Sequence, residues 1–368
     1  MVAGIIGATG YAGAELTRLL SGHPEVKKLV LSSVSFEGGR IEDVYPGFLG
    51  IITGDLLKAE DVINSSDVVF SALPHAVGEH FAAACMEKGV HYIDLSADFR
   101  FDDDEKVYAA WYGKNYQFPE LHKKSVYGLP ELNRQKIKEL SVKPLVVGNP
   151  GCYPTGASLG VFPAVSKALG GSPLCDLASP IIINAVSGTS GGGREPSRSF
   201  HYSECADSIA PYKVASHRHS PEIARNISKM AEKALQVIFT PHLAPMNRGI
   251  LSTIYIALRE EWRIKAAMFP SKEMEDKTAE IRSLYENFYK DEPFVRVLPQ
   301  GLFAATNRVR HSNYCDISVH IDLNGSTLIV TTAIDNMIKG AAGQAIQNMN
   351  ILLGFNEKSG LEAIPMVF

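Results

Sequence analysis

Val2-Ala3-Gly4-Ile5-Ile6-Gly7-Ala8-Thr9-Gly10-Tyr11-Ala12-Gly13, running into Ala14-Glu15-Leu16-Thr17-Arg18-Leu19-Leu20, is the stretch that decides the fold. A short apolar run, a glycine-rich turn and a helical pattern follow one another without a break. In a dinucleotide-binding fold this order places a pyrophosphate on the N-terminal amides of the first helix. The spacing is Gly-x-x-Gly-x-x-Gly, with Thr9 where the second glycine of the more common Gly-x-Gly-x-x-Gly falls. A ligand-free turn can use the same glycines, but their position after the first strand favours a nucleotide. Gly7, Thr9, Gly10, Tyr11 and Gly13 are the candidate contacts.

The next apolar run, Val26 to Leu31, ends in Ser32-Ser33 and not in the acid that binds a ribose 2′-hydroxyl. Hydroxyls there, with Arg40 shortly after, suit a 2′-phosphate, so NADP is the preferred cofactor, although Glu37 weighs against it. Asp67 to His75 reads as a further strand ending in a ligand-side loop at Pro74. Val77, Phe81, Ala84 and Cys85 then recur at helical spacing, which makes Cys85 a core residue. Strand Val90 to Leu95 leads to Arg100, which either holds an anion beyond the strand end or pairs with Asp102-Asp103-Asp104.

Further along, Leu145-Val146-Val147 precedes Gly148-Asn149-Pro150-Gly151-Cys152-Tyr153-Pro154-Thr155, and a helical pattern runs from Ala157 to Leu169. Cys152 thus falls at a strand-to-helix corner, where unpaired amides and the helix dipole favour the thiolate, the nucleophilic form. The plain alternative is an inert buried cysteine in a turn. Beyond it, Pro180 to Val186, Ile250 to Leu258, Cys315 to Ile321 and Thr327 to Ile334 read as strands of a mixed sheet, and Pro270 to Lys290 as a packing helix. The loop Ser187 to Arg194 lets backbone amides approach a flat or anionic ligand, with Ser187 and Gly188 as its candidate contacts. In His217-Arg218-His219-Ser220-Pro221-Glu222, serine at the cap and proline at the first helical position predict a helix start. The preceding residues are then extended, with His217 and His219 facing one side as acid/base candidates and Glu222 near enough to orient a ring. No third metal ligand is evident, so no metal is expected.

At 368 residues two domains are expected, with no repeat or low-complexity linker between them. A net charge of -4 offers no bulk attraction to nucleic acid or an anionic membrane, and neither partner is expected. Five widely spaced cysteines argue against a disulfide framework or a zinc knuckle and for a reducing compartment. No basic leader precedes the first strand and no apolar run nears the ~20 residues that span a bilayer, so the expected location is cytoplasmic.

Taken together, the Gly7–Gly13 turn, Asp94 to Arg100, Tyr127 to Glu131, the Gly148–Thr155 corner, Ser187 to Arg194, His217 to Glu222 and Asp335 to Ala345 resemble the N-acetyl-gamma-glutamyl-phosphate reductases, arginine-pathway relatives of aspartate-semialdehyde dehydrogenase. The resemblance implies an α/β fold: a Rossmann-type dinucleotide-binding domain from residues 1–148 with 336–354, and an α+β catalytic and oligomerisation domain with a mixed sheet from 149–335. It implies Cys152 as nucleophile, His219 as acid/base supported by Glu222, His217, Arg100 and Asn149 as substrate contacts, and Asn336 beside the nicotinamide. It also implies a small acyl phosphate as substrate and a homodimer or homotetramer. Aspartyl phosphate or a carrier-blocked glutamyl phosphate remain alternative substrates, and an NADP-sensing protein without catalysis is the alternative from another class.

Overall fold

The computed structural model describes residues 1–101, 104–167 and 171–367, and the chain divides into two compact units. Unit 1 comprises Met1–Gly151, Gly193–Glu195 and Gly340–Ala363. Unit 2 comprises Cys152–Gly192, Pro196–Lys339 and the tail from Ile364. The chain first leaves unit 1 between Gly151 and Cys152, a little later than residue 148, and after the short return at Gly193–Glu195 rejoins it at Gly340, a little later than residue 336.

Unit 1 is built on seven strands: β1 (Val2–Ile6), β2 (Lys28–Ser32), β3 (Leu56–Leu57), β4 (Val68–Ser71), β5 (His91–Asp94), β6 (Val126–Tyr127) and β7 (Val146–Gly148). They pair in parallel in the order β3-β2-β1-β4-β5-β7-β6. Parallel sheets are covered on both faces, which is why β4 is buried along its whole length and reads as continuous apolar sequence. Cys85, on the Gly78–Lys88 helix, packs in this core with Val69, Ala82 and Phe99. Burial pushes its thiol up to about 12.

The returning helix, Gly343–Leu352, is buried at every residue, including Gln344, Gln347, Asn348 and Asn350. Amides so placed need partners. Asn348 Nδ2 donates to Gly128 O at 2.7 Å and to Asn149 Oδ1 at 3.1 Å. Asn350 lies 2.9 Å from His23 Nε2 and donates to the carbonyls of Glu357 and Ser359.

Unit 2 carries β8 (Ile181–Ser187), β9 (Ala210–Pro211), β10 (Val237–Leu243), β11 (Ile250–Ala257), β12 (Val295–Val297), β13 (Cys315–Ile321) and β14 (Thr327–Ile334). Their order is β12-β13-β14-β11-β8-β10-β9, with β8–β10 and β12–β13 parallel and the other pairs antiparallel. The expected strands are present, and the short β9 and β12 and the longer β10 are additions: Pro241 hid β10, yet proline is tolerated here because only the two-residue β9 lies outside.

Helix Cys152–Val165 is buried from Tyr153 to Val165. Two glycines let it lie close to the sheet, since a Cβ on Gly160 would come 2.5 Å from Ile254 Cδ1. Tyr285 and Tyr289, from helix Lys272–Phe288 and its end, donate to the carbonyls of Gly160 and Leu159. The helix stops at Val165, short of the expected Leu169, and residues 168–170 lie outside the described residues.

Candidate active site

The glycine turn of unit 1 is shaped by contacts that a side chain would destroy. Gly7 has φ +86°, and a Cβ on it would lie 2.7 Å from Ala72 O, the carbonyl just past β4. A Cβ on Gly13 would lie 2.1 Å from Gly7 O, so the helix could not approach its own strand. At Gly10 the nearest atom would be 3.6 Å away, leaving that side open. Gly10 caps helix Tyr11–Ser21 with no side-chain hydrogen bond and no acid in the first turn, so this helix end suits a phosphate. Thr9 Oγ1 shares a 2.7 Å hydrogen bond with Ser33 Oγ, joining the turn to the end of β2, where Ser32 and Ser33 are buried. Arg40 pairs with the buried Glu42. Pro74 is exposed past β4.

The corner before Cys152 is tied down within unit 1. Asn149 N donates to Asp94 O at 2.7 Å, and Asn149 Nδ2 to Ala341 O at 3.1 Å. Arg100, buried, donates from Nε to Asn149 O at 2.9 Å and from Nη2 to Leu95 O at 2.8 Å. Both residues expected to meet substrate therefore brace the backbone of the corner. Asp104 caps the next helix by accepting from Val107 N, and Asp102 and Asp103 lie outside the described residues.

Cys152 opens its helix in unit 2 and His219 opens another, His219–Ala231. Asn226 Nδ2 reaches Ser158 Oγ at 3.3 Å and, further on, Lys167 pairs with Glu232 at 2.8 Å. Contacts that advance together along both helices mean that they run parallel, so Cys152 and His219 stand at the same end. The residues before His219 are not extended as expected. Arg218 is helical (φ -60°, ψ -19°), and a tight turn lets His219 N donate to His217 Nδ1 at 3.0 Å. The rings are still neighbours, 4.9 Å apart, brought together by the turn and not by strand alternation.

His217 packs edge-on against Tyr153, Tyr212 and Phe239 at 5.4–5.6 Å between ring centroids. Burial, with Lys213 and Arg218 adding to it, pushes its pKa down to about 4. The ring is neutral near pH 7, with Nδ1 accepting and the proton on Nε2. Tyr212 donates its hydroxyl to that of Tyr153 at 3.1 Å, and burial raises both phenols, with the Cys152 sulfur adding to the effect. Cys152 directly precedes Tyr153 in the chain. It is partly exposed, whereas Cys85 and Cys175 are buried and raised to about 12. Glu222, fully buried, lies one helical turn beyond His219. Tyr212 carries no periodic or motif signal, which is why sequence reasoning missed it.

Ser187 and Gly188 end β8 in unit 2. Asn336 braces their loop, donating to Ser190 Oγ at 3.0 Å and accepting from Gly249 N at 2.7 Å. Among the described residues no cluster of three or more His, Cys, Asp or Glu could hold a metal ion.

Family profiles described as "Semialdehyde dehydrogenase, NAD binding domain" and "Semialdehyde dehydrogenase, dimerisation domain" match residues 2–140 and 152–336. The chain is 47% identical over 365 residues to the N-acetyl-gamma-glutamyl-phosphate reductase of Clostridium kluyveri, covering 99% of both chains. To that of Brachyspira hyodysenteriae it is 44% identical over 372 residues, again covering 99% of each. The chain belongs to the N-acetyl-gamma-glutamyl-phosphate reductase family. Members of this family are oxidoreductases, and residues 2–140 are the domain that binds a nicotinamide dinucleotide. Two solved aspartate-semialdehyde dehydrogenases share the fold. That of Vibrio cholerae has TM-score 0.70 at 16% identity, and that of Candida albicans, solved with NADP, TM-score 0.66 at 19%. Each alignment covers 96% of this chain and 98% of the other.

Proposed function

We propose that this chain reduces N-acetyl-gamma-glutamyl phosphate to N-acetylglutamate 5-semialdehyde and phosphate, with NADPH as reductant, in arginine biosynthesis. The observation that supports the chemistry is that Cys152 and His219 each open a helix and that the two helices run parallel, with these residues at the same end. Full-length relatives bearing the reductase name support the substrate.

The positive end of its helix favours Cys152 as the thiolate. Its sulfur attacks the acyl carbon; the C–S bond forms, the C–O bond to phosphate breaks, and phosphate leaves an enzyme thioester. NADPH supplies the hydride. Collapse of the resulting tetrahedral anion breaks the C–S bond and releases the aldehyde. Asn149 N is committed to Asp94 O, so the oxyanion is assigned to the first-turn amides of the Cys152 helix, one such donor typically contributing about 3 kcal/mol. His219 takes the thiol proton and returns it, with Glu222 orienting the ring. His217, neutral, offers its Nε2 proton to an acyl or phosphate oxygen. Arg100 and Asn149 act on the substrate by holding the corner that carries the nucleophile.

Gly7, Gly10, Tyr11, Gly13, Thr9, Ser32 and Ser33 form the nucleotide cradle, and the two serines favour NADP over NAD. The uncovered face of the second sheet fits a second copy of the chain. There Tyr255, Ile182 and Ile238 stand side by side across β11, β8 and β10, 36%, 38% and 51% exposed. Cysteines left as thiols suit a cytoplasmic location.

The test runs the reaction backwards. Supplied with N-acetylglutamate 5-semialdehyde, phosphate and NADP, the protein should generate the absorbance of reduced coenzyme. Aspartate 4-semialdehyde should be a far poorer substrate, and a preference for it would overturn the assignment.

A further inference from the structure

The glycine turn at Thr9 holds a cation that belongs to a distant part of the sequence. Gly193, with φ +84°, turns the glycine-rich loop so that Gly193–Glu195 packs as part of unit 1. Arg194 Nη1 donates to Thr9 O at 3.1 Å, and Tyr45 donates its hydroxyl to the same carbonyl at 2.9 Å. The guanidinium carbon lies 5.5 Å from the centroid of the Phe36 ring and 5.3 Å from that of Tyr45. Two aromatic rings and one carbonyl thus fix the orientation of an exposed arginine. Thr9 is also the residue whose hydroxyl meets Ser33. Arg40, the next cation along the chain after β2, has its charge answered by Glu42.

We propose that Arg194 reads the ribose 2′-phosphate of the coenzyme, with Ser33 and Thr9 beside it, and sets the preference for NADP over NAD. The inference rests on the NADP reading above. A guanidinium offers five N–H donors in a planar fork that matches phosphate, and only part of that fork is used on Thr9 O. Its orientation is already fixed, so little side-chain freedom is lost when a phosphate arrives.

The experiment measures binding of 2′,5′-ADP and 5′-AMP to the intact protein by calorimetry, for wild type, Arg194→Gln and Arg194→Lys. Wild type should bind 2′,5′-ADP more tightly than 5′-AMP. Arg194→Gln should weaken 2′,5′-ADP on the order of 10- to 100-fold, as for one lost charge-assisted contact, and change 5′-AMP by less than about 3-fold. Arg194→Lys should fall between, keeping the charge and losing the fork. The ratio of kcat/KM for NADPH over NADH should drop with the binding ratio. Equal weakening of both nucleotides would make Arg194 a strap that merely shapes the site. Unchanged 2′,5′-ADP binding would equally overturn the proposal. A wild type that does not distinguish the two nucleotides would instead refute the NADP reading itself.

Discussion

Replacing His217 by asparagine should make the protein less sensitive to acid, by an amount set by the environment of one ring. His217 is 8% exposed, and burial pushes its pKa from 6.5 down to about 4. Above pH 6.5 the ring is neutral in the folded and unfolded chains, so it contributes no pH dependence. As the pH falls below 6.5 the unfolded chain takes up a proton that the folded chain refuses until about pH 4, and stability drops across that window. The full span corresponds to about 3 kcal/mol, of which about 2 kcal/mol is lost by pH 5. Asparagine can accept from His219 N in place of Nδ1 and cannot take the proton. Urea unfolding of wild type and variant at pH 7.5, 6 and 5 gives the comparison. The difference cancels His23, His91 and His320, which burial also holds low. Wild type should lose about 2 kcal/mol more than the variant between pH 7.5 and 5. Parallel losses would show that the ring is hydrated or charged in the folded protein, and would remove the case for a neutral His217. The same argument separates the two histidines in catalysis. A limb in the rate profile between pH 5 and 8 should survive His217→Asn and be displaced by His219→Asn.

Cys152→Ser should keep NADPH binding and lose nearly all turnover, and iodoacetamide near pH 7 should modify Cys152 well before Cys85 or Cys175, as read by peptide mass mapping; equal rates would deny it a special reactivity. Gly13→Ala places a Cβ 2.1 Å from Gly7 O, so thermal unfolding should show a loss of about 1–3 kcal/mol and dinucleotide affinity should fall with it, whereas normal binding would mean that the turn yields without cost. Ile238→Glu puts a charge on the open sheet face, and sedimentation should show a shift toward monomer; an unchanged mass would place the contact between copies elsewhere.

Much of this protein is legible one segment at a time, because the signals are local. The strand, glycine turn and helix at residues 2–20 announce a parallel nucleotide-binding sheet, since contacts between near neighbours dictate Gly7 and Gly13. The corner at Cys152 is equally plain, and strands β13 and β14 have the bounds their alternation predicts. Where the structure departs from or adds to the local reading, the cause is a specific turn or a partner remote along the chain. Ser220 and Pro221 look like a helix cap and first helical residue, yet the helix begins at His219, because the turn closed by His217 Nδ1 starts it two residues earlier. Arg100 and Asn149 look like ligand residues, and only the fold shows their polar atoms holding backbone carbonyls and Asn348. Asn348 and Arg194 carry no readable pattern, since their partners lie 220 and 185 residues away. The sequence by itself determined the main elements of both units and which side chains carry chemistry of the kind a reductase needs. The tertiary structure decided which of them stand near one another and which are taken up in bracing the backbone, because a side chain's partners are chosen by packing between segments remote along the chain.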